Sequence, residues 1–173
     1  DVYPTSIKIA LIRSNETLVE VLQTLISSFR SKGKQFAHVV KMGRTQLQDA
    51  VPMMLGQAFE AYAVTLEEEV ERLDQNSRLF LEVNMGATAI GTGINADPAY
   101  SKTVIRHLRK TTGLDVVLAA NLLEATQDTG SFVMYSSAIK RLAVKLSKIS
   151  SDLRLLSSGP RTGFNEINLP PMQ

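Results

Sequence analysis

Leu55, Phe59, Tyr62, Leu66, Leu73 and Phe80 recur at helical steps along one stretch of the chain. Such spacing gathers apolar side chains on one face of a helix that must be buried against something else. The same spacing appears twice more. Leu18, Val21, Leu22, Leu25 and Phe29 form an earlier stripe, and Ile139, Leu142, Leu146, Ile149, Leu153 and Leu156 a later one. The pattern predicts helices over about Ile7–Arg30, Leu47–Leu81, Tyr100–Thr112 and Leu118–Leu156. Pro4 suits a first helical turn, and Gly33 and Gly113 suit helix ends. At about 1.5 Å per residue, a helix from Leu47 to Leu81 would reach roughly 50 Å, longer than a compact domain of this chain length is wide. Strand signals are weak, with 6% aromatic residues and no alternating run. The expected fold class is all-α, an elongated bundle of long helices.

Composition narrows the chemistry. A net charge of +2, spread along 173 residues, gives no basic patch of the kind that binds nucleic acid. There is no Cys, and the two histidines, His38 and His107, are far apart. A thiolate or histidine metal site is therefore not expected. His38 reads as a turn residue and His107 as a surface helix residue. The run Glu67-Glu68-Glu69-Val70-Glu71 reads as a solvated helix face. No apolar stretch is long enough to span a membrane, and Asp1-Val2-Tyr3-Pro4 lacks the pattern of a secretion signal. A soluble, cytoplasmic protein is the expectation.

Three segments interrupt the helical pattern. Met85 to Asn95 and Ser157 to Gly163 are rich in glycine and small residues. They read either as connectors between helices or as loops lining a site. The third is Lys41-Met42-Gly43-Arg44-Thr45-Gln46-Leu47-Gln48-Asp49-Ala50-Val51-Pro52. It reads as a polar turn opening the second helix, with Thr45 or Asp49 as a cap. A helix start also offers free N–H groups which, with the Thr45 hydroxyl and the Gln46 amide, would suit a carboxylate. For Lys41 and Arg44, ion pairing with a neighbouring helix is expected rather than a free positive charge.

This third segment resembles a signature of the fumarase/aspartase superfamily, Gly-Arg/Ser-Thr-x-x-Gln-Asp-Ala-x-Pro, matched here by Gly43, Arg44, Thr45, Gln48, Asp49, Ala50 and Pro52. The resemblance extends along the chain. Asp1 to Thr5 is similar to the end of a Ser-Thr-Asn-Asp-x-Tyr-Pro-Thr segment. Gly86 to Asn95 is similar to a family loop, and Leu155 to Arg161 with Asn165 to Pro170 to the approach to a further signature. After the motif threonine, fumarases usually carry His. Gln46 stands there instead, and with Ala125-Thr126-Gln127-Asp128 it resembles the aspartase branch.

The resemblance implies a lyase, eliminating ammonia reversibly from L-aspartate to give fumarate without an organic cofactor. The alternatives are a class II fumarate hydratase and a non-catalytic helical oligomerisation core. It implies that Thr45 and Gln46 bind substrate, Thr45 through a carboxylate and Gln46 by orienting it. It also implies a homotetramer whose active sites are shared between subunits. Residues 1–173 would form its central helical-bundle domain, truncated at both ends. No catalytic residue falls within the chain on this reading. The family's serine base lies on a loop, Gly-Ser-Ser-x-x-Pro-x-Lys-x-Asn, expected just after Gln173, and the Ser-Thr-Asn that grips substrate is expected just before Asp1. The isolated segment is therefore expected to be inactive.

Overall fold

A computed structural model of the chain describes residues 1–171. Helix α1 (Val2–Gln35) is followed by strands β1 (Val40–Thr45) and β2 (Gln48–Met54), then α2 (Leu55–Ser77) and a single 3-10 turn at Arg78–Leu81. Next come β3 (Glu82–Val83), α3 (Tyr100–Thr112), β4 (Val117–Leu118), α4 (Leu122–Gln127) and α5 (Gly130–Leu156). The fold is predominantly helical, as expected, with two small strand pairs added. Among the described residues, no helix is long and apolar enough to cross a membrane.

The helix boundaries differ from expectation in instructive ways. α1 takes in Pro4 in its first turn and runs through Gly33 to Gln35. Gly33 lies inside the helix at a close approach: a Cβ on it would lie 3.3 Å from the Gly56 carbonyl oxygen and one on Gly56 2.3 Å from the Gly33 carbonyl oxygen, so α1 and α2 meet backbone to backbone there. The second helix starts at Leu55, not Leu47, because the preceding residues form strands. The last predicted helix is two, since Asp128 turns its carboxylate onto the Gly130 amide at 3.0 Å and interrupts the run.

The chain divides into two compact units, and each of the three long helices contributes a part to both. One unit comprises 1–20 and 71–138. Its apolar centre is Val83, Met85, Ile105 and Val116, backed by Leu81, Leu108 and Leu118. β3 and β4 pair in parallel, Glu82 with Val117 and Val83 with Leu118, and anchor this centre. Phe80 packs at 5.3 Å from the Phe132 ring and 5.2 Å from the Tyr135 ring. Buried Tyr135 donates its hydroxyl to Asn15 Oδ1 at 3.1 Å, so the polar end of the ring is not left unpaired. Buried Lys8 donates to the Glu82 carbonyl at 2.7 Å, and its burial pulls the ammonium below the ordinary lysine value.

The other unit comprises 21–70 and 139–171 of the described residues. In α1 its buried line is Leu22, Ile26, Phe29 and Gly33, while Val21, expected in the stripe, is exposed. In α2 the expected Leu55, Phe59, Tyr62 and Leu66 are all buried. Phe29, Phe59 and Tyr62 pack ring against ring at 5.7 to 6.2 Å. Burying each such side chain contributes on the order of 2 to 3 kcal/mol, so this aromatic knot fixes the base from which the β1–β2 hairpin rises. The Leu55 amide donates to the Val39 carbonyl at 2.8 Å and the Gly56 amide to the Phe36 carbonyl at 3.1 Å, closing the hairpin's foot.

Glu69 departs from the expected solvated face. It is wholly buried in this unit, paired with Arg141 at 2.8 Å and Lys145 at 2.6 Å. Its neighbours Glu67 and Glu68 are exposed, as expected.

Candidate functional site

The signature segment is a β-hairpin, not a helix start. β1 and β2 pair antiparallel, with Val40 opposite Met54, Lys41 opposite Met53 and Thr45 opposite Gln48. Thr45 and Asp49 lie in strands β1 and β2, so neither opens a helix, and α2 begins only at Leu55. The two-residue loop is Gln46-Leu47, with φ of 51° and 64°. Left-handed torsions at both positions are those of a type I′ turn, which usually takes Asn-Gly. Here two residues with full side chains adopt it, at a steric cost of roughly 1 kcal/mol or more each.

Between Met42 and Arg44 the register slips, so that one residue of β1 faces two of β2. Gly43 sits at this bulge, where a Cβ would come within 2.8 Å of the Val51 carbonyl oxygen. In a regular strand, residues three apart point to opposite faces. The extra residue belongs to β2, and the bulge increases the local twist of the strand pair; Lys41 and Arg44 both reach the same carboxylate, Glu166. Arg44 Nη2 is 2.5 Å from Glu166 Oε1, and Lys41 Nζ is 3.2 Å from Oε2. Their partner lies in the segment after α5, not on a neighbouring helix. The Arg44 guanidinium also stacks on the Phe164 ring at 4.0 Å. Burial by itself would raise the Glu166 carboxyl, but the Arg44 and Lys41 contacts outweigh it and hold the group below the ordinary glutamate value.

A cavity of about 470 Å³ opens beside the hairpin, with Lys41, Arg44, Gln46, Tyr62, Asp152 and Phe164 in its wall. Lys148 ion-pairs with Asp152, and the Tyr62 hydroxyl donates to Asp152 at 3.1 Å. Burial, followed by the nearby Asp152 charge, raises the Tyr62 phenol well above its ordinary value, so it remains a donor. The three cations of this wall are thus each matched to a carboxylate. The uncommitted polar groups are at the tip. Thr45 and Gln46 are exposed, and neither side chain has a hydrogen-bond partner among the described residues. From Thr45 through Pro52 every residue faces solvent.

The glycine-rich loop of the other unit is tied down by its own chain. Asp1 Oδ2 accepts from the Gly86 amide at 3.2 Å and from the Thr88 amide at 3.4 Å. Asn84 donates to the Thr126 hydroxyl at 3.1 Å, which accounts for Thr126 as a structural residue. His107 is exposed on α3 and His38 lies in the turn before β1, as expected. Sequence reasoning missed Glu166 as a partner of the motif. Its signal was the acidic residue of Asn165-Glu166-Ile167, noted only as part of a resemblance.

All 173 residues match the model of a protein family described as lyase, and the chain belongs to that family. It is 58% identical over 174 residues to the aspartate ammonia-lyase of Pseudomonas aeruginosa, covering all of this chain and 37% of that protein. It is 53% identical over 173 residues to the aspartate ammonia-lyase of Escherichia coli, covering all of this chain and 36% of that one. A solved Brucella melitensis structure, described as fumarate lyase:delta crystallin bound to cobalt, superposes with a TM-score of 0.98 at 54% identity over all of this chain and 38% of its own. Recombinant class II fumarase from Schistosoma mansoni superposes with a TM-score of 0.88 at 28% identity, over 94% of this chain and 37% of its own. The resemblance to the fumarase/aspartase superfamily is thereby borne out. The chain spans a little over a third of the length of the curated relatives it matches.

Proposed function

We propose that this chain is the central segment of an aspartate ammonia-lyase, the enzyme that reversibly eliminates ammonia from L-aspartate to give fumarate. The observation that carries the reading is Gln46 beside Thr45 at an exposed tip, both without internal partners. The 58% identity to the Pseudomonas aeruginosa enzyme, against 28% to the fumarase, supports aspartate over malate as substrate.

In the proposed reaction a base takes the proton from the carbon next to the β-carboxylate, and the electron pair moves into that carboxylate as an aci-carboxylate. The pair then returns to form the carbon–carbon double bond as the carbon–nitrogen bond breaks and the amine leaves as ammonia. The intermediate carries a doubled negative charge, which aligned donors stabilise. Thr45 donates its hydroxyl to a substrate carboxylate. Gln46 orients the substrate through its amide and moves no proton, because an amide does not titrate in this range. The base is the serine of a loop expected after Gln173, outside the described residues.

The intact protein is a cytoplasmic homotetramer on this reading, with each active site shared between subunits.

Fumarate formation by the full-length protein, followed by ultraviolet absorbance with aspartate and malate in parallel, tests the reading. Turnover of aspartate but not malate is expected. Turnover of malate alone would move the assignment to fumarate hydratase. Residues 1–173 alone are expected to form an inactive helical core, and turnover by this piece would refute the placement of the base after Gln173.

A further inference from the structure

We infer that Glu166 is a positioning residue for the substrate-binding turn, acting through Arg44; the inference rests on the reading of Thr45 and Gln46 as substrate-binding.

Three observations support it. First, the backbone around Glu166 is tied to the end of α5. The Glu166 amide donates to the Leu156 carbonyl at 2.9 Å, as does that of Ile167 at 3.3 Å, and Asn165 donates to the Ser158 carbonyl at 2.7 Å. The short segment after α5 is thereby folded back onto the helix end. Second, this segment grips the residue that immediately precedes Thr45. Arg44 is held at its charged end by Glu166 at 2.5 Å and across its face by the Phe164 ring at 4.0 Å. Lys41, three residues earlier on the same strand, meets the other carboxylate oxygen at 3.2 Å. Third, the turn needs an external hold. Both Gln46 and Leu47 sit in left-handed torsions, neither side chain has a hydrogen-bond partner among the described residues, and the ion pair that spans them within the hairpin, Arg44 with exposed Asp49 at 3.6 Å, runs through the same guanidinium that Glu166 holds. A strained, solvent-exposed tip keeps its geometry only if the surrounding structure over-determines it.

The chemistry of the clamp also fits this role better than direct substrate binding. Arg44 presents a planar guanidinium that a carboxylate and an aromatic face can hold simultaneously. A guanidinium so engaged is a fixed strut rather than a free anion binder. Glu166 itself is an anion, paired with Arg44 and Lys41 beside the proposed site for a dicarboxylate, so it does not touch substrate. It keeps two cations from competing for substrate carboxylates and transmits the position of the α5 end to Thr45.

The test uses the full-length enzyme and compares wild type with Glu166→Gln, which keeps the shape and removes the charge. KM for aspartate is expected to rise about tenfold with kcat within about twofold, the signature of lost substrate binding in a still competent site. A purely structural role would instead reduce the active fraction and leave KM unchanged. Phe164→Leu alters an exposed ring and keeps the carboxylate, so it serves if Glu166→Gln does not fold; its KM is expected to rise in the same direction. The Arg44→Ala, Glu166→Ala double variant should lose no more kcat/KM than Arg44→Ala alone, because Glu166 works through Arg44. Amide exchange of residues 40–54 should quicken in Glu166→Gln while that of 55–77 does not. An unchanged KM in a folded Glu166→Gln or Phe164→Leu enzyme, or additive losses in the double variant, overturns the inference. A wild-type enzyme inert towards aspartate would instead overturn the assignment on which it rests.

Discussion

Lys145 Nζ lies 2.6 Å from Glu69 Oε1, and the Glu69 side chain is wholly shielded from solvent. Arg141 reaches the same oxygen at 2.8 Å from a half-exposed position. Burial would lower the Lys145 ammonium, but its hydrogen bonds to Glu69 and Glu68 outweigh that and leave it raised. α2 and α5 are therefore joined by a charge that neither helix would tolerate alone.

Removing the buried member should cost more than removing an exposed one. Truncating one partner of a buried pair typically costs about 3 kcal/mol or more, so Glu69→Ala should lower unfolding free energy by roughly that amount. Arg141 is 52% exposed, and solvent screening should hold the cost of Arg141→Ala below about 1 kcal/mol. Denaturant unfolding of both variants checks the asymmetry, and equal losses would contradict it.

The turn residues should differ in what each substitution removes. In the full-length enzyme, Thr45→Ala should lower kcat/KM for aspartate by on the order of a hundredfold, the scale of one lost donor to developing charge. Thr45→Ser, which keeps the hydroxyl, should restore most of it. Gln46→Glu preserves shape and adds a negative charge that would face the two carboxylates of the proposed substrate, so its loss should appear chiefly in KM. Steady-state kinetics decide, and wild-type constants for Thr45→Ala would remove Thr45 from the site.

Leu47 offers a test of strain. Its φ of 64° and 66% exposure mean that a large side chain is held in an unfavourable torsion with little burial in return. Leu47→Gly relieves roughly 1 kcal/mol of torsional cost and adds about 0.5 to 1 kcal/mol of unfolded-chain entropy, so the unfolding free energy should change by less than about 0.5 kcal/mol. Leu47→Val places a β-branched residue at the same torsion and should be clearly destabilising. A large loss in the glycine variant would show that the leucine side chain itself holds the hairpin.

Glu166 should leave a mark on acid stability. Its folded pKa lies below the ordinary glutamate value, so the unfolded chain takes up its proton first as pH falls. The stabilisation is present above the unfolded pKa and is lost as pH drops through the folded value. Glu166→Gln should therefore be less stable than wild type at neutral pH, with the gap closing below the ordinary carboxylate range. Unfolding midpoints measured from neutral to acid pH would show it, and a gap independent of pH would argue against the ion pair.

Much of the helical core was legible because its signal is local and repeated. Leu55, Phe59, Tyr62 and Leu66 are buried as their spacing required, and α3 ends at Gly113 in a left-handed torsion, as its composition suggested. The hairpin was not legible. Gln48 to Pro52 face solvent throughout, so β2 buries no face and writes no alternation into the sequence, and its I′ turn lacks the usual Asn-Gly. Its motif could be matched as a string, but not read as a hairpin.

The sequence by itself determined the helical periodicity, the lyase family and the identity of the two exposed turn residues. Only the tertiary structure decided what surrounds them. Arg44 meets Glu166, and Glu69 meets Lys145, across long stretches of intervening chain. An ion pair of that kind leaves no local period or spacing, because each partner's environment exists only once distant segments have packed. The same physics turned an apparent solvated glutamate into a buried one, and moved the partner of Lys41 and Arg44 from the expected neighbouring helix to the segment after α5.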